Sequence, residues 1–138
     1  MEHTKLAEEL LISVPILKKK IGTACDIGEA ETKEILAEVL RFMQLVELSA
    51  ERLTPSYKVD LAWHEFILFT KLYADFCNRH FDRFIHHYPG ENEADNKNGF
   101  KKLHYHYNKY FGIKPNPKYW GTVLVEMADE SDCGTDIS

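Results

Sequence analysis

Val59-Asp60-Leu61-Ala62-Trp63-His64-Glu65-Phe66-Ile67-Leu68-Phe69-Thr70-Lys71-Leu72-Tyr73-Ala74-Asp75-Phe76-Cys77-Asn78-Arg79-His80-Phe81 is the stretch that decides the fold. It contains neither Gly nor Pro, so it predicts one helix or two abutting helices. On one ideal helix, at about 100° per residue, Asp60, His64, Lys71, Asp75 and Asn78 share a narrow polar sector. Leu61, Trp63, Phe66, Ile67, Phe69, Leu72, Tyr73 and Phe76 occupy most of the remaining circumference. A helix so apolar must be enclosed by its neighbours, which places 59–81 at the centre of a bundle. Thr70 is a candidate cap if the path bends there.

The flanking sequence is also helical in pattern. Leu6, Leu10 and Leu11 fall at helical spacing, and Pro15 marks a break or the first turn of a second helix. Glu29 to Leu48 gives the clearest helix, with Ile35, Leu36, Val39, Leu40, Met43 and Val46 on one stripe and Glu31, Glu34 and Glu38 mostly off it. Asp26 is a candidate cap for that helix. Thr54-Pro55 suits a helix start soon after it, and Pro89 to Gly99 reads as a surface loop. A helix over Phe100 to Phe111 follows, stopped at Gly112, and Trp120 is expected on the core. The expectation is a single all-α domain over 1–127, with five to seven helices and an acidic, disordered tail over 128–138.

Composition narrows the function. A chain of 138 residues with 44% hydrophobic and 28% charged residues is long enough for one core and is not a disordered or collagenous sequence. The net charge of −5 and the scattered basic residues oppose non-specific nucleic-acid binding, which depends on cations displacing counterions. Three cysteines without a CxxC pair fit neither a disulfide framework nor a four-cysteine zinc module. No apolar run approaches membrane-spanning length, and Glu8 and Glu9 at the N-terminus do not suit a secretory signal. A cytoplasmic protein is the resulting expectation.

Candidate chemistry lies among the seven histidines, four of which (His64, His80, His86, His87) fall close together. Asp60 and His64, at i and i+4, are neighbours on a helix face, where a carboxylate can fix the imidazole tautomer and leave the other nitrogen free to bind metal or act as a base. Cys77 and one of His86 and His87 would complete a zinc-type donor set; adjacent helical residues diverge too far for both to join. His86-His87 reads as the end of a helical stretch beginning at Phe81. Glu65 falls in the apolar sector, either as a buried carboxylate with a perturbed pKa or at the rim of a bent helix.

Asp60, Trp63, His64, Tyr73, Cys77, Phe81 and Arg83, followed by Tyr107, Phe111-Gly112 and Trp120, resemble the motifs of the glycine-rich-domain-containing-protein-like family over about 55–121. Two positions depart from that pattern: Phe66 stands where a second histidine is usual, and Asp82 where the aromatic-Gly-Arg element has glycine. The resemblance implies a domain type more than an activity. The resulting candidate site has His64, Cys77, His86 and His87 as metal ligands, with Asp60, Trp63, Glu65, Tyr73 and Arg83 in support. Three functions are weighed in order: binding of a zinc-like metal ion, a protein-interaction or scaffold module with an unidentified protein partner, and a hydrolase using His64 as base.

Overall fold

The computed structural model describes residues 1–88 and 92–123. Among them are seven helices and no strand: α1 (His3–Ser13), α2 (Pro15–Cys25), α3 (Glu29–Leu48), α4 (Tyr57–Leu68), α5 (Thr70–Phe81), α6 (Glu93–Phe111) and α7 (Pro117–Trp120). The fold is an all-α bundle. The centre is shared by α3, which packs on α1, α2, α4 and α6, and α4, which packs on α2, α3, α5 and α7. No described helix is long and apolar enough to cross a membrane. The sequence's acidic tail over 128–138 lies outside the described residues.

Local chemistry explains most of the boundaries. Pro15 opens α2, where its missing N–H costs nothing. Ser56 caps α4, accepting from Val59 N at 3.2 Å, while its hydroxyl donates to the Tyr119 carbonyl at 2.7 Å. One side chain thereby starts α4 and fastens α7 to it. Asp26 does not cap α3; it ends α2 in the left-handed region at φ 54°, and Gly28 precedes α3.

The predicted central helix over 59–81 divides at Phe69, whose φ of −85° and ψ of 70° end α4 and start α5. Thr70 is the first residue of α5, and no side-chain hydrogen bond caps that helix. The reason is packing across the bend. On a continuous helix Phe66 and Phe76 would stand about 15 Å apart along the axis, whereas their ring centroids are 5.7 Å apart. The bend folds α5 back so that both halves bury their aromatic faces against each other.

The segment read as a loop over 89–99 is helical from Glu93 onward, residues 89–91 lying outside the described residues. Asn92 caps α6 by accepting from Asp95 N at 2.9 Å, and Glu93 and Asp95 complement the helix dipole in the first turn. Gly99 lies inside this helix because α6 passes very close to Thr54. A Cβ at Gly99 would meet Thr54 Oγ1 at 2.3 Å and Thr54 N at 3.1 Å. Alanine there gains about 1 kcal/mol of helix propensity, but overpacking against backbone costs about 1–3 kcal/mol. Urea unfolding of Gly99→Ala is expected to show net destabilisation.

Candidate functional site

The site begins in the first turn of α4. Asp60 is 1% exposed, and the positive end of the helix dipole favours its carboxylate there. His64, one turn later, projects from the same face. The third member comes from outside the helices. Asp82 ends α5 in the left-handed region at φ 59°, and 83–88 then runs without helix. In this non-helical path Ile85 is buried and His87 half-buried, while Phe84, His86 and Tyr88 are exposed. The helical stretch expected from Phe81 through His86-His87 is therefore absent. Alternation is what separates the two histidines: His87 turns inward, and His86 stacks loosely between Phe84 and Tyr88.

Three side chains converge through four atoms. His64 Nε2 stands 2.9 Å from His87 Nε2, His87 Nε2 stands 2.9 Å from Asp60 Oδ1, and His64 Nε2 stands 3.4 Å from Asp60 Oδ2. Apart from that 3.4 Å approach, which does not make a hydrogen bond, Asp60 Oδ2 is buried without a partner. The side chains of Asp60, His87 and His64 are 1%, 16% and 41% exposed, so the cluster grades from a buried carboxylate to an accessible imidazole.

His87 is held in place through the backbone two residues before it. The Trp63 indole donates to the Tyr73 hydroxyl at 3.0 Å, and that hydroxyl donates to the Ile85 carbonyl at 2.5 Å. The Trp63 ring also packs on His87, centroids 4.6 Å apart. Burial pushes the Tyr73 phenol well above its ordinary range, so it stays a neutral donor. Tyr73→Phe leaves the Trp63 N–H and the Ile85 carbonyl unpaired in the core. It is expected to cost about 2 kcal/mol in urea unfolding and to free the segment that carries His87.

The remaining candidates lie elsewhere. Cys77 is fully buried beside Tyr73 and the Ile85 backbone, and burial raises its thiol pKa. It does not belong to the convergent group, and neither does His86. Arg83 is exposed and donates to the Val46 carbonyl at 3.3 Å, fastening the 82–88 segment to the end of α3. Glu65 is half-buried and faces α2: burial pushes the Cys25 thiol up to about 11, and the charge of Glu65 adds to that rise. Asp60 and His87 line a cleft of about 340 Å³ that also includes Trp63, Arg52, Arg83 and Asn96. Neither Arg52 nor Asn96 was marked by motif or spacing in the sequence.

A family model, UCP032817-like, matches residues 11–122 and so spans every element that builds this site. The chain belongs to the UCP032817-like family. The likeness to the glycine-rich-domain-containing-protein-like family over about 55–121 is corrected accordingly: the matching model is a different one, and it extends through α2 and α3, where those motifs had no counterpart. No curated protein matches the chain, and no solved structure does. For this UCP032817-like chain, function must be argued from the site itself.

Proposed function

We propose that this UCP032817-like domain binds a divalent transition-metal ion of the zinc class through Asp60, His64 and His87. The observation that carries this reading is the convergence of one carboxylate and two imidazoles, with donor atoms all within 4.8 Å of one another. Metal–ligand bonds of about 2.0–2.1 Å put neighbouring donors about 3.3 Å apart in a tetrahedron and about 3.0 Å apart in an octahedron. The observed separations, 2.9 Å between the two imidazole nitrogens, 2.9 Å from His87 to Asp60 Oδ1 and 3.4 Å from His64 to Asp60 Oδ2, bracket those values, with both carboxylate oxygens taking part.

Hydrogen bonding alone accounts less well for the same atoms. A ring nitrogen offers one in-plane position, either a proton or a lone pair. His87 Nε2 faces both Asp60 Oδ1 and His64 Nε2, and one proton cannot align with both. A cation at the common point would engage all three atoms and also supply the partner that Asp60 Oδ2 lacks. Asp60 thus serves as a ligand in its own right in this reading, rather than only as the group orienting His64.

Two imidazoles and one carboxylate are the donor set of sites that keep a coordination position open for water or substrate. Cys77, the expected thiolate, is outside the group, which favours harder and borderline metals over thiolate-selective ones. The test is metal titration of protein purified without a histidine tag, followed by elemental analysis. Near-stoichiometric zinc, a higher Tm with metal and reversal by chelator are expected. Substoichiometric metal with no change in Tm would remove the metal reading and leave the interaction module.

A further inference from the structure

The cleft beside the cluster carries donors that the metal reading does not use. Asn96 is 2% exposed, lines the cleft from α6, and its amide nitrogen has no hydrogen-bond partner. A buried amide N–H left unpaired is costly and uncommon in native structures. Arg83 lines the same cleft from the 82–88 segment, and among the described residues it forms no ion pair. Arg52 adds a second guanidinium to the wall. The acidic group on the same wall nearest in sequence, Glu51, is engaged outward by His106 at 2.7 Å and Lys102 at 3.4 Å. Asp60, the other acid of the cleft, would be neutralised by the proposed cation.

We infer that this cleft binds a small oxyanion, a carboxylate or phosphate group carried by a small molecule, with Arg83 supplying charge and Asn96 a hydrogen bond. The inference rests on the metal reading for the sign of the field at Asp60: with a cation there the whole cleft is electropositive, and without one Asp60 repels the ligand. Guanidinium and amide donors suit this chemistry, because both present N–H groups to planar or tetrahedral oxygens without accepting protons. A volume of about 340 Å³ holds a small metabolite rather than a polymer.

The experiment is titration of inorganic phosphate and, separately, acetate into the full chain with and without bound zinc, followed by calorimetry. Zinc-loaded protein is expected to bind one of the two anions at least about tenfold more tightly than metal-free protein. Arg83→Gln, an exposed change, and Asn96→Asp, which keeps the side-chain volume, are each expected to weaken that binding about tenfold when measured at saturating zinc, so that any change in zinc affinity is read separately. Tighter phosphate or tighter acetate binding assigns the group. If zinc binds but neither anion does, or if both variants bind the anion like the parent, the oxyanion site is overturned and the metal site stands. If the anion binds and depends on Arg83 and Asn96 in a protein that takes up no zinc, the metal reading alone fails.

Discussion

Glu38→Ala will cost the fold about 3–5 kcal/mol, the range seen when one partner of a buried charged network is removed. Glu38 is 7% exposed, and its Oε1 accepts from the Tyr107 hydroxyl at 2.7 Å and the Trp120 indole at 2.8 Å. Its Oε2 accepts from Arg41 at 2.9 Å. A single carboxylate therefore joins α3 to α6 and α7. Alanine would leave two donors on nearly fully buried rings without partners, and neither ring can reach water without opening the core. Glu38→Gln keeps an acceptor for both rings and should lose far less. Tryptophan-monitored urea unfolding measures both variants, and a loss below about 1 kcal/mol for alanine would show that the network contributes little.

Asp60→Asn is expected to lower zinc affinity by more than about 100-fold, beyond the upper end of what is lost when only a supporting group is changed. The substitution keeps the side-chain volume and one oxygen but removes the only negative charge among the three converging donors. In the absence of metal its stability should stay within about 1 kcal/mol of the parent, since Asp60 Oδ2 makes no hydrogen bond to lose. Competition against a chromophoric chelator reads the affinity, and unfolding of the chelated protein reads the stability. Parent-like zinc affinity in Asp60→Asn would exclude the carboxylate as a ligand.

Local signals in the sequence account for much of the fold. Pro15, the stripe through Ile35 to Val46 and Gly112 announced α2, α3 and the end of α6 through backbone chemistry that operates within a few residues. The break at Phe69 was one of two readings left open, with a bend at Thr70 as the alternative to a single helix, and no Gly, Pro or capping hydrogen bond decided between them. It follows from aromatic faces meeting across the bend, a tertiary cause that overrides local helix preference. Glu38 was read as off the apolar stripe, yet α3 is buried on nearly all sides, so even its polar positions must find partners inside.

The same division holds at the site. Asp60 and His64 were paired by helical spacing, a relation that any helix preserves. Placing His87 beside them required knowing that α5 stops at Asp82 and that the chain then alternates sides. The run Phe84-Ile85-His86-His87-Tyr88 contained that signal, since period-two burial separates the two histidines that a helix would merely have fanned apart. Arg83 stood among the resembling motif positions, but its place beside Asn96 on one cleft wall is a tertiary relation, and nothing in the local sequence marked Asn96.

Two ligands of the proposed ion ride on one helix, and the third sits 23 residues beyond His64 on a stretch with no regular secondary structure. An ion bridging them would work as a clasp on that stretch, slowing amide exchange at 83–88 and shielding it from proteases. Metal supply would then set how long this segment survives in a protease-containing milieu, quite apart from any chemistry performed in the cleft.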